Sequence, residues 1–231
     1  MELVFDNRRF RIQAMHPPRA GGGGRVLLSF TGIGHEMGGI DLQKPEFYAI
    51  GAGFDNVVFV SDLTRSWGNA LNFRRIQTEL APYVKGARLF TIGNSMGGFL
   101  AVLATAFFKV EATIALAAQY SVSPDIVPEE TRWRAHRSGI KRFRFESLET
   151  AFNDTTRYYM FSGGNADEKV HWSRFPDQPN VHNIVLGQRG HHIAQYLKGQ
   201  NVLSPLVTAC VGDAFSVEWL NDIQSVPARR A

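Results

Sequence analysis

The stretch that decides the fold is Leu89-Phe90-Thr91-Ile92-Gly93-Asn94-Ser95-Met96-Gly97-Gly98-Phe99-Leu100-Ala101-Val102-Leu103-Ala104. Its first four residues form a short apolar burst of the kind that suits a parallel strand buried on both faces. From Met96 to Phe108 the residues suit a helix. Between the two lies Gly-x-Ser-x-Gly, a turn whose glycines let strand and helix approach closely while the serine takes a strained backbone conformation. Such a turn points the Ser95 hydroxyl outward at a helix N-terminus, where the Met96 N–H and the helix dipole can stabilise a developing oxyanion.

Working outward, the same alternation of strand and helix continues. Apolar bursts at Val26 to Phe30, Asn56 to Val60 and Ala87 to Ile92 read as strands. Pro45 to Gly53 and Asn69 to Tyr83 read as helices, the second from Leu71, Ile76, Leu80 and Tyr83 at helical spacing. Further strands are expected at Ala112 to Ala118, Arg157 to Phe161 and Val181 to Leu186, with helices near Leu148 to Phe152 and over Leu203 to Leu220. Leu3 to Phe5 and Phe10 to Ala14 flank a polar turn and predict an antiparallel hairpin. The pattern is a mostly parallel, doubly wound α/β sheet with helices on both faces. Gly21 to Gly24 reads as a connecting turn, since no Lys-Ser/Thr follows to make a phosphate-binding loop.

One segment breaks the rhythm. Residues 121–154 hold Pro124 and Pro128, then a run from Thr131 to Arg144 that contains Arg132, Arg134, Arg137, Lys141, Arg142 and Arg144 and no acid. It reads as a basic cap over the carboxyl edge of the sheet, the edge where ligands bind in open α/β folds. The whole of 1–231 is then expected to be one domain with this short insertion.

Composition excludes several classes. One cysteine, Cys210, rules out an internal disulfide or a cysteine-built metal site, and a reducing, cytoplasmic home is the expectation. Lys+Arg 25 against Asp+Glu 21 leaves +4, short of a nucleic-acid binder's excess. The apolar run from Phe99 stops at Lys109, well below the roughly 20 residues a membrane span needs. Glu2, Asp6, Arg8 and Arg9 leave the first ten residues without a signal core.

A serine needs a base, and the base an orienting acid. Here the chain resembles the α/β-hydrolase family, whose order is nucleophile, acid, histidine. Ser95 matches the nucleophile. The loop Gly164-Asn165-Ala166-Asp167-Glu168-Lys169-Val170, after the Arg157–Phe161 strand, resembles the family's acid loop and implies Asp167 as the acid, with Glu168 second. Without catalysis, Asp167 reads as a helix N-cap. Gly190-His191-His192, after the last strand, resembles the histidine loop and implies His191 as base, with His192 as the alternative. Thr31-Gly32-Ile33 resembles the loop that supplies the second oxyanion donor, implying the backbone N–H of Ile33, or of Gly32, beside that of Met96. His171, four residues past Asp167, is placed to line the same rim.

The resemblance implies acyl transfer through an acyl-enzyme on Ser95, with no metal or organic cofactor. Ala115 to Pro124, with Ala117-Ala118-Gln119-Tyr120-Ser121, resembles bacterial hydrolase-like proteins found beside polysaccharide-building enzymes. That implies an acyl ester on a small molecule, glycan or carrier as substrate. Three readings remain open at this point: an ester hydrolase, an acyltransferase, and a binding module without catalysis.

Overall fold

A computed structural model of the chain describes residues 1–37, 40–224 and 227–231, apart from the side chains at 35–37, 40–42 and 52. The strands are β1 (Glu2–Asp6), β2 (Phe10–Ala14), β3 (Arg25–Phe30), β4 (His35–Met37), β5 (Ile40–Leu42), β6 (Asn56–Asp62), β7 (Arg88–Asn94), β8 (Ala112–Leu116), β9 (Arg157–Gly163), β10 (Val181–Leu186) and β11 (Ala228–Arg230). The helices are α1 (Phe73–Val84), α2 (Met96–Leu103), α3 (Arg134–Arg137), α4 (Ala166–Trp172), α5 (Ile193–Gly199), α6 (Leu203–Val211) and α7 (Val217–Ile223).

The main sheet runs β1-β2-β6-β3-β7-β8-β9-β10-β11. Its centre, β6 to β10, is parallel, while β1 and β2 form the expected antiparallel hairpin against β6. Side chains alternate between faces along each strand, so each face has its own core. Val26, Leu28 and Phe30 pack with Phe73, Ile76 and Leu80 of α1 and Phe99 and Leu100 of α2. Leu27, Phe90 and Ile92 pack with Ile193, Leu197, Leu206 and Leu220 on the other side.

Several elements differ from the sequence reading. Pro45 to Gly53 holds only a 3-10 turn over Tyr48–Gly53. The helix read as Met96 to Phe108 ends at Leu103 and passes into a 3-10 turn. Leu148 to Phe152 is a turn closed by Ala151 N–H on the Leu148 carbonyl. The single C-terminal helix is two, broken at Asp213, whose φ of 59° no helix can hold. β11 was not foreseen. It is a short, charged edge strand, which carries no apolar alternation to read.

The β7–α2 turn takes the conformation its sequence demands. Ser95 has φ 58° and ψ −122°. A Cβ on Gly93 would stand 2.1 Å from the Gly97 carbonyl carbon, and one on Gly97 would stand 2.2 Å from the Phe30 carbonyl oxygen. Both contacts are with backbone, which cannot swing aside. Gly97→Ala is therefore expected to destabilise the fold by about 3 kcal/mol or more. Gly199→Ala, with no atom within 4 Å of the added carbon, should stay within about 0.5 kcal/mol of the native chain. Denaturant unfolding of the two variants checks this, and equal effects would contradict it.

Candidate active site

Ser95 stands at the carboxyl end of β7, anchored by its N–H on the Leu116 carbonyl (2.8 Å). His191, in the turn between β10 and α5, meets it: Nε2 lies 2.8 Å from Ser95 Oγ. The ring's other nitrogen, Nδ1, lies 3.0 Å from Glu168 Oε1. A carboxylate only accepts, so Nδ1 carries the proton and Nε2 offers its lone pair to the serine hydroxyl.

The acid facing the histidine is thus Glu168, and Asp167 is corrected. The reason is helix phase. Asn165 caps α4, accepting from the Glu168 N–H, so the helix begins at Ala166. Successive side chains then diverge by about 100°, and Glu168 turns inward, 1% exposed, while Asp167 faces solvent. Only the Asp167 carbonyl joins the surroundings, as an acceptor for Arg132. His192 is also set apart from Ser95. It is the exposed N-cap residue of α5, its ring 6.2 Å from that of His191.

Around Glu168 lies a buried network that the insertion supplies. Arg132 donates to Glu168 Oε1 and, through Nε and Nη2, to both oxygens of Glu130 (2.5 to 3.1 Å). Glu130 also faces His171 Nε2 at 2.8 Å, and His171 Nδ1 accepts the Tyr120 N–H at 3.2 Å. His171 therefore lies inside the network rather than on the rim. Burial alone would raise the Glu168 carboxyl, but the hydrogen bonds and charges of His191 and Arg132 outweigh it and hold it below the usual range. Burial opposes ionisation of Glu130 too, yet bonds from His171 and Arg132 bring it down to about 2. Two carboxylates against one guanidinium leave a net negative charge beside His191. Arg132→Met, which strands Glu130 and Glu168 (each 1% exposed), should cost about 3 kcal/mol or more at pH 7. A loss under about 1 kcal/mol in thermal unfolding would contradict it.

The insertion meets the site through Trp133. Trp133 packs on His191 with ring centroids 5.2 Å apart, and on Trp67 at 6.4 Å. Of its six cations, Arg132 joins this network, Arg137 bonds to the Val122 and Glu130 carbonyls and Arg144 to that of Leu71, while Arg134, Lys141, Arg142 and Arg144 are exposed at the surface.

Two further residues touch the serine's surroundings. Gln119, 0% exposed, donates Nε2 to Ser95 Oγ at 3.1 Å, and its Oε1 accepts from Trp67 Nε1 at 3.0 Å. On the loop after β3, the Ile33 carbonyl accepts from Arg65 Nε. Gly32 is corrected as an oxyanion donor, because its N–H is already taken by Glu46 Oε1 at 3.0 Å. The Met96 N–H stands at the first helical position, where no intrahelical acceptor exists. The His35 side chain lies outside the described residues. Among the described residues, no group of three His, Cys, Asp or Glu side chains could hold a metal ion.

Burial pushes the Glu46 carboxyl up to about 7, against the lowering effect of the Gly32 N–H. Its ionisation is disfavoured in the fold, so its penalty is absent below the unfolded value near 4.5 and grows as pH rises to about 7. Glu46→Gln should therefore gain thermal stability relative to the native chain between pH 5 and pH 8. A difference that shrinks over that range would contradict it.

No protein-family model matches the chain, and no curated protein matches its sequence. Solved structures do match. The capsule O-acetyltransferase of Neisseria meningitidis serogroup A superposes with a TM-score of 0.57 at 11% identity, over 87% of this chain and 93% of that one. The carboxylesterase CesB from Bacillus subtilis gives 0.52 at 12%, over 92% and 91%. A prolyl endopeptidase gives 0.51 at 13%, over 90% of this chain and 39% of that one. The fold is the α/β-hydrolase fold. At these identities the likeness speaks for architecture alone. Among the described residues of this α/β-hydrolase-fold chain, no helix is long and apolar enough to cross a membrane.

Proposed function

We propose that the chain is a serine ester hydrolase acting through an acyl-enzyme on Ser95. The observation that carries this reading is the continuous line Ser95 Oγ, His191 Nε2, His191 Nδ1, Glu168 Oε1, with separations of 2.8 and 3.0 Å. In this reading His191 takes the proton as Oγ attacks an acyl carbonyl. The oxyanion meets the Met96 and Ile33 N–H groups, and His191 returns the proton to the departing alcohol. Water repeats the sequence on the acyl-enzyme. The imidazolium that forms twice per turnover is steadied by the net negative charge of Glu168, Glu130 and Arg132, and Glu168 holds the ring's orientation. The substrate class we favour is an acyl ester carried on a glycan or other carrier.

A second reading, transfer of the acyl group to an alcohol, uses the same first half-reaction. It draws support from the likeness in architecture, over nearly the full length of both chains, to an enzyme described as a capsule O-acetyltransferase. Product analysis with a sugar acceptor present separates the two. Hydrolysis is expected to release free acid at a rate the acceptor does not change, and accumulation of a new ester ahead of free acid would favour transfer.

Labelling with a fluorophosphonate tests the nucleophile itself. The native chain should label, Ser95→Ala should not, and His191→Ala should be nearly silent. Glu168→Gln should lose about 10²-fold or more in turnover of a nitrophenyl ester, whereas Asp167→Asn and His192→Ala should stay within about twofold. No label on the folded native chain would overturn the reading, and a larger loss for Asp167→Asn than for Glu168→Gln would overturn the choice of acid.

A further inference from the structure

Gln119 lies just past β8, where the left-handed turn at Ala117 (φ 47°) bends the chain back beneath the elbow. Its side chain is wholly buried between two fixed partners, and those partners settle which way its amide points. Trp67 Nε1–H can only donate. It must therefore face the amide oxygen, as it does at 3.0 Å, and this leaves the NH₂ group to face Ser95 Oγ at 3.1 Å.

Trp67 is itself held from below. The buried Asp62 carboxylate, at the end of β6, accepts from Thr64 N and Oγ1 through one oxygen and from Ser66 N, Ser66 Oγ and Gly68 N through the other, at 2.6 to 3.1 Å. These five bonds fold residues 62–68 into a tight loop that places Trp67 at φ 49°, 0% exposed. The same loop carries Arg65, whose Nε bonds to the Ile33 carbonyl. One carboxylate thus organises the groups on both sides of the serine.

We propose that Gln119 is a further catalytic residue, a side-chain donor to the nucleophile held in register by Trp67 and the Asp62 loop. The proposal rests on Ser95 being the nucleophile. Oγ has one proton and two lone pairs. The proton goes to His191, and one lone pair accepts from Gln119. Only the second lone pair stays open, so the carbonyl carbon can approach from one direction. As the Oγ–H bond breaks and the proton moves to Nε2, charge builds on Oγ before the bond to carbon is complete. The Gln119 N–H stabilises that charge where both groups are themselves buried (Ser95 4% and Gln119 0% exposed), and there a fixed donor acts most strongly. It also disfavours serine rotamers that would take Oγ away from His191.

The test compares Gln119→Met and Trp67→Phe with the native chain, using a nitrophenyl ester and the rate of fluorophosphonate labelling. Gln119→Met keeps the length and loses the donor. It should lower kcat about 10²-fold, the cost typical of a lost transition-state donor, with KM within about twofold and the pH profile unshifted, since no charge is removed. Trp67→Phe frees the amide to rotate and should lose a smaller part of kcat, again without moving KM. Far-ultraviolet circular dichroism and thermal unfolding establish that each variant is folded. If Gln119→Met does not fold, Trp67→Phe alone decides. Folded variants that label and turn over at the native rate would overturn the proposal while leaving Ser95 in its role. A native chain that does not label would overturn the parent reading instead.

Discussion

Everything at the site depends on how closely three backbones meet at the β7–α2 turn. β3, β7 and the first turn of α2 come together at Gly93 and Gly97, where a single added carbon would fall within about 2 Å of a carbonyl group. That approach forces Ser95 into a strained positive-φ backbone conformation (φ 58°, ψ −122°), and non-glycine residues persist there only when the surroundings over-determine them. Here the over-determination comes from strand pairing on either side and from the two cores. The result is a hydroxyl fixed at the sheet's carboxyl edge, with the first N–H of a helix beside it. The side chains that reach it come from after β8 and β10, and the third-strand loop stands alongside.

The second organising feature is a chain of buried charge. Glu168 and Glu130 are almost wholly removed from water, and an isolated carboxylate in such a place would protonate rather than ionise. Arg132 makes both tolerable, and it does so from the insertion. The insertion is therefore tied to the acid that holds the histidine, through an ion pair as well as through Trp133 on the imidazole. A solvated basic cap describes only its outer face, where Arg134, Lys141 and Arg142 lie. Burying two carboxylates against an Arg132 that stays a quarter exposed is costly in stability unless every partner is in place.

Much of this was legible in the chain before any coordinates. The elbow, the alternation of strands and helices and the antiparallel opening follow from local pattern, while His191 as the partner of Ser95 was implied by the resemblance to the α/β-hydrolase family. The failures share a cause. Choosing Asp167 over Glu168 required knowing where α4 begins, and that is set by Asn165 as N-cap, one choice among several polar residues in the loop. Gly32 looked available as a donor until Glu46, from another loop, proved to occupy its N–H. The Gln119 contact spans 24 residues, Arg132 to Glu168 spans 36 and His171 to Glu130 spans 41. No periodicity encodes such pairs. The run of six cations was visible, but which three would be consumed by the protein's own acceptors was not. Elements without an apolar signature, such as the three-residue edge strand β11, also left nothing to read.

In the proposed mechanism Ser95 becomes acylated, and that acyl group can be observed rather than inferred from rates. Mixing the protein with an activated acyl ester, quenching in acid within the first turnover and weighing the intact chain by mass spectrometry should show one added acyl group. Proteolysis should place it on the peptide containing Asn94-Ser95-Met96, and hydroxylamine should remove it. A chain that turns over the ester while its mass stays unmodified, or that carries the acyl group elsewhere, would contradict the account.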